Sequence, residues 1–118
     1  IDRVKTVEGV SLLAAQVDAK DMDALRNVLD QVKAKLPSGV IVLGAVSEGK
    51  VNLVAAVTPD LVQRGLHAGH IVKETAARCG GGGGGRPDLA QAGGKDPSQL
   101  QAALDRVEEL VKERIGAK

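Results

Sequence analysis

Apolar and polar positions fall into two distinct periods along the chain. From Asp21 to Leu36 the apolar residues Met22, Leu25, Val28, Leu29, Val32 and Leu36 recur every three or four places, the spacing of one helix face. Asp21 precedes them as an N-cap, and Pro37-Ser38-Gly39 stops the helix. Val40–Val46 and Val51–Val57 are instead almost continuously apolar, which predicts central strands covered on both faces. The short polar link Ser47 to Lys50 makes them an antiparallel hairpin. Val10–Val17 reads as another strand, although periodicity alone also allows a helix, and Val4 and Val7 belong to an extended piece or a linker remnant before it. The passage strand–helix–strand from Val10 to Val46 implies a crossover, right-handed if its strands are parallel neighbours.

Beyond the hairpin, Thr58-Pro59-Asp60 carries the signs of a helix start: a hydroxyl cap, Pro in the first turn and an acid at the positive helix end. Gly65 and Gly69 divide the next stretch of chain into two helices, Pro59 to Arg64 and Ala68 to Cys79. In the second, Ile71, Val72, Thr75, Ala76 and Cys79 share a face. Leu89–Ala92 predicts a short strand between glycine clusters. Asp96-Pro97-Ser98-Gln99 then opens the last helix, with Asp96 and Gln99 spaced as a capping box. Leu100, Leu104, Val107, Val111 and Ile115 form its apolar stripe. The expected class is α/β: a mixed sheet with a central antiparallel hairpin, flanked by helices, and a glycine-rich loop before the last helix.

Composition sharpens this. The 118 residues suit one domain, and they contain no Phe, Tyr or Trp. The core must be Val, Leu, Ile and Ala, and a nucleic-acid site could not stack unpaired bases on aromatic rings. A single cysteine, Cys79, excludes an intrachain disulfide and a Cys-based zinc site, and fits a reducing cytosol. No apolar run approaches the ~20 residues of a membrane span. The chain opens at Ile1 and its one Met is Met22, so it reads as a piece of a longer protein.

The net charge is only +1, so attraction for nucleic acid must rest on a local patch. One stretch has that bias. From Arg64 to Lys95 the cations Arg64, Lys73, Arg78, Arg86 and Lys95 face only Glu74 and Asp88, while the chain on either side is slightly acidic. Inside this stretch stand six consecutive glycines, Gly80, Gly81, Gly82, Gly83, Gly84 and Gly85. Two readings compete: a flexible linker, or a surface of bare amides that nests an anion. A nucleotide-binding P-loop fits poorly, because Arg86-Pro87 follows where Lys and Ser or Thr are needed. A dinucleotide fingerprint fits no better, because the glycines follow a helix instead of opening one. His67 and His70 lack further metal ligands except Cys79, which itself sits at the negative end of a helix where a thiolate is disfavoured. Ser11, Ser38, Ser47 and Ser98 have no evident His–acid partner for a nucleophilic triad.

The stretch GGGGGGRPDLAQAGG, Gly80 to Gly94, resembles the C-terminal globular domain of bacterial-type alanyl-tRNA synthetases, the DHH-associated module shared with DHH phosphoesterases. The segment from Val42 to Cys79 and the segment from Asp96 to Val111 are similar to the same family, so the likeness covers residues 1–118 as one domain of a longer synthetase. The resemblance implies a noncatalytic module that contacts the outer corner of tRNA(Ala) and supports aminoacylation and editing. The implied partners are tRNA(Ala), other domains of the synthetase and, in some members, a second copy; no membrane is involved and the location is cytoplasmic. The module holds no cofactor; ATP and zinc belong to other domains of the parent ligase. Carried over by position, Gly80 to Gly85 and Arg86 match the glycine motif, and Gln91, Gly93 and Gly94 match its AQAGG end. Lys95, Arg64, Lys73 and Arg78 join them as electrostatic contacts. Many bacterial relatives carry Lys at the third place of the glycine run, where this chain has Gly82. Two alternatives remain: the substrate-binding half of a DHH phosphoesterase, where His typically takes the place of Arg86, and a structural or dimerisation module.

Overall fold

The computed structural model describes residues 5–7, 10–36 and 38–116. Strands β1 (Lys5–Val7) and β2 (Val10–Gln16) come first, then helix α1 (Met22–Lys35) and the hairpin β3 (Val40–Ser47) and β4 (Lys50–Val57). A short helix α2 (Pro59–Val62) leads to α3 (Ala68–Arg78), the strands β5 (Gly82–Gly85) and β6 (Leu89–Gly94), and the last helix α4 (Leu100–Gly116). Val4 and Pro37 lie outside the described residues.

The strands form one six-stranded sheet in the order β1-β2-β3-β4-β6-β5. Only β2 and β3 run parallel, joined by the crossover through α1; every other neighbour is antiparallel. The β3–β4 turn closes on Glu48 and Gly49 with φ of +54° and +77°, the primed geometry that matches strand twist. β3 and β4 are central and mostly buried, as their unbroken apolar runs require.

Each face of the sheet has its own core. On one face Val42, Leu53 and Ala92 meet α3 and α4 through Val72, Leu104 and Val107. On the other, Leu13, Ile41, Leu43 and Val54 meet α1 through Leu25 and Leu29. Fully burying a leucine contributes roughly 1.5–3 kcal/mol, so Leu25 and Leu29 fix which face α1 takes. Asp21 caps that helix by accepting from the Ala24 amide at 2.8 Å.

Three expectations need correction. The glycine run is not a loop: four of its residues form the edge strand β5, paired rung by rung with β6. Glycine has no side chain to reveal a strand's alternation, so pairing with β6 decides the matter. The capping box before α4 does not close. The Asp96 carboxylate instead accepts from the Ser98 amide at 3.1 Å, its own amide goes to the Cys79 carbonyl, and a 3₁₀ turn over Pro97–Gln99 precedes α4. Thr58 precedes α2 but its hydroxyl does not cap it; Thr58 Oγ1 donates to Asp60 and accepts from the Gly39 amide. The α4 stripe is buried through Val111, and the Ile115 side chain lies outside the described residues. Among the described residues no helix is long and apolar enough to cross a membrane.

Candidate nucleic-acid interface

The site is built on α3 and the hairpin that follows it. α3 ends because Gly80 takes φ +71°, a conformation open to glycine. Its amide then returns to the Ala77 carbonyl at 3.2 Å and that of Gly81 to Ala76 at 3.0 Å, the paired bonds of a Schellman cap. These two amides close a helix and are not free to nest an anion. α3 is also fastened to the hairpin at both ends. The Ala68 amide donates to the Pro87 carbonyl at 2.7 Å, and the Cys79 carbonyl accepts from Lys95 and Asp96 at 2.7 and 2.9 Å.

Within the hairpin the glycines alternate in role. A Cβ at Gly81 would lie 1.9 Å from the Gly93 carbonyl oxygen, at Gly83 2.4 Å from the Ala92 Cβ, and at Gly85 2.9 Å from the Ala90 Cα. At Gly82 and Gly84 it would meet nothing within 4 Å. The ladder places Gly82 opposite Gly93 and Gly84 opposite Gln91, and it pairs those β6 residues with Asn52 and Val54 of β4. Residues that are directly opposite share a face. This is the α1 face, and α1 lies mainly over β3 and β4, covering Val54 and meeting β6 at Leu89. The result is an open sheet surface floored by Gly82, Gly84 and Gly93 and studded with Gln91 and Asn52. Because β5 is the edge, half of its backbone groups also point away from the ladder.

Cations stand at both ends of this floor. One hollow, of about 220 Å³, is lined by Arg26, Gly84, Gly85, Arg86, Leu89 and Gln91 among others. A second, of about 290 Å³, lies among Lys50, Asn52, Gly81, Gly93, Gly94 and Lys95. The six residues of β6 separate the two ends by roughly 17 Å at strand rise. Arg86 is 74% exposed and lies 3.8 Å from Asp88, itself 55% exposed. Such an exposed pair contributes at most about 1 kcal/mol and yields readily to a stronger anion.

The structure therefore gathers Gly82, Gly84, Arg86, Gln91, Gly93, Gly94 and Lys95 on or beside one surface. Gly80, Gly81, Gly83 and Gly85 are exposed as well; Gly80 closes α3, and at Gly81, Gly83 and Gly85 a side chain would strike β6. Lys73 and Arg78 are exposed on the outer side of α3, across the sheet from the floor, and Arg64 lies in the turn after α2. Arg26, Lys50 and Asn52 belong to the site and fall outside the glycine motif. One sign of Arg26 is legible in the sequence: it follows Met22 by one turn, a cation at the border of the apolar stripe.

The remaining candidates have structural roles. The His67 imidazole caps α3, its Nδ1 accepting from the His70 amide at 3.2 Å. Cys79 is buried at the other end of that helix; burial and then the nearby Asp96 charge push its thiol up. Among the described residues no three His, Cys, Asp or Glu side chains group to hold a metal ion.

Alanine–tRNA ligase from Bacillus subtilis is 61% identical over 112 residues, which is 95% of this chain, and that from Oceanobacillus iheyensis is 54% identical over 115 residues, or 98%. The chain spans only 13% of the length of each of these relatives. The C-Ala domain of Aquifex aeolicus alanyl-tRNA synthetase has the same fold, with a TM-score of 0.82 at 27% identity over 92% of this chain and 96% of that one. A DHH-domain member of the s1p family of ribosomal proteins shares the fold alone, at 17% identity and a TM-score of 0.59, covering 94% of this chain and 28% of that one. The pattern of the DHHA1 domain runs through residues 9–113, nearly the whole sheet and its helices, and the chain belongs to that family.

Proposed function

We propose that this chain is the noncatalytic, tRNA-binding C-terminal domain of an alanyl-tRNA synthetase, holding the outer corner of tRNA(Ala) while other domains aminoacylate and edit it. The observation that carries the reading is the glycine-floored sheet face with cations at both ends, in a chain 61% identical to part of an alanine–tRNA ligase. A floor without side chains lets a ribose–phosphate strand come down onto main-chain atoms. Arg86 and Lys95 supply charge, and Gln91 and Asn52 supply neutral donors and acceptors for 2′-hydroxyls. With no aromatic residue in the chain, recognition goes through the shape and backbone of folded RNA. The domain needs no cofactor for this, and its place is the cytoplasm, with the rest of the synthetase.

The test is binding of a tRNA(Ala) transcript at several salt concentrations. Contacts from Arg26, Lys50, Arg86 and Lys95 give a log–log salt slope of about −3. Arg86→Glu is expected to weaken binding about tenfold or more at low salt. A slope near zero, or an Arg86→Glu protein that binds like the parent, contradicts the proposal.

A further inference from the structure

We infer that Arg26 of α1 is a second phosphate-holding guanidinium, acting with Arg86 as a two-arginine clamp on one phosphodiester of the bound RNA. The clamp rests on the RNA-binding reading and adds a contact that the glycine motif does not contain.

The two arginines are 60 positions apart in sequence and line one hollow of about 220 Å³. The topology brings them together. α1 lies mainly over β3 and β4 and meets β6 at Leu89, so the residue on its border overhangs the more open strands. Leu89, at the start of β6, is partly buried against the α1 core and seats that end of the hairpin beside the helix. The floor between the arginines is Gly84, Gly85 and Gln91. A water takes about 30 Å³, so the hollow has room for a phosphodiester and some of its hydration.

The charge balance favours an anion there. Arg26 is exposed and has no ion-pair partner among the described residues, although Asp23 and Asp30 stand one turn away on the same helix. The acid paired with Arg86 is Asp88, exposed and 3.8 Å away. Two guanidinium groups beside one hollow repel each other in the free protein, and a phosphate between them reverses the sign of that interaction. The opposite end of the floor carries Lys50 and Lys95, whose ammonium groups are point charges without fixed direction. Planar, forked guanidinium groups hold a phosphate in a defined orientation. The arginine end thus sets how the RNA strand lies, and the lysine end adds attraction.

The experiment measures anisotropy of a labelled Bacillus subtilis tRNA(Ala) transcript with the 118-residue chain across a salt series. Arg26→Ala is expected to weaken binding about five- to tenfold and to flatten the salt slope by about one. Arg26→Lys keeps the slope but recovers little of the affinity, because one ammonium does not reproduce a bidentate contact. In an Arg86→Ala background Arg26→Ala costs less than it does alone, because the shared phosphate is already half released. An unchanged thermal midpoint is expected for this exposed residue, and Arg26→Gln replaces Arg26→Ala if the latter unfolds. Parent-like binding by Arg26→Ala and Arg26→Gln, full rescue by Lys, or losses that simply multiply overturn the clamp and leave the RNA-binding reading intact. A parent chain that does not bind the transcript overturns both.

Discussion

Gly82 and Gly83 are neighbours in one short strand, yet a methyl group would meet opposite surroundings at each. At Gly83, itself exposed, it would press into the buried Ala92 at 2.4 Å, on the sheet face that carries the α3 core; at Gly82 it would find no atom within 4 Å. The first glycine is required by packing, because β5 and β6 approach too closely for any side chain. The second is required by nothing in the fold, and its bareness is a property of the surface. A run of identical residues therefore holds two different designs, interleaved with the period of two that every strand imposes. A single explanation of the run, whether flexible linker or anion nest, cannot describe it.

The contrast is tested most severely on its covered side. Gly83→Val should lose about 3 kcal/mol or more of stability, since the obstacle is backbone and a buried β-carbon with nowhere to move. Denaturant unfolding measures this, and a neutral result would mean that the two strands are not in close contact. On the open side, Gly82→Lys should change stability by no more than about 0.5 kcal/mol, as surface substitutions do. It should also tighten tRNA binding about threefold and steepen the salt slope by about 0.7–0.9, the share of one added phosphate contact. A large stability loss at Gly82 would erase the distinction. The smallest effect is expected from acid, and it acts at the α2 end of the covered side. Asp60 accepts from Ser38 and Thr58 at 2.6 and 2.5 Å, and these bonds hold its carboxyl below the usual carboxylate range. The folded protein binds this proton less readily than the unfolded chain does. The contribution of Asp60 is therefore complete above pH about 4 and lost as pH falls through the lowered folded value. Asp60→Asn should melt slightly below the parent at pH 7 and converge with it in stronger acid.

Much of the fold is legible in the sequence because side chains announce it. The spacing of Met22, Leu25, Leu29 and Val32 identifies α1 and its buried face, and the unbroken apolar runs identify β3 and β4 as central strands. The alternation of β5 is silent, because glycine is neither apolar nor polar in the sense that a period can be read from. What makes β5 a strand is a partner strand and a helix above it, both set by tertiary structure. The site divides in the same way. Arg86, Gln91 and Lys95 follow the glycines in sequence and share their surface. Lys50 and Asn52 reach it because β6 inserts beside β4, and Arg26 because α1 covers only part of the sheet. Lys73 and Arg78 share the motif's charge bias but not its surface, since a helix's outer side faces away from the sheet it covers.

The two-ended fastening of α3 to the hairpin has a consequence for recognition. Glycine-rich backbone normally loses the most freedom on ordering, and a docking partner would have to meet that entropy itself. Here folding has already immobilised it: the bonds from Ala68 to Pro87 and from Lys95 and Asp96 to Cys79 clip the softest residues of the chain along a rigid three-turn rod. A ligand that settles on those residues meets them already frozen, and exchange of the β5 amides that pair with β6 should be nearly as slow before the encounter as after it.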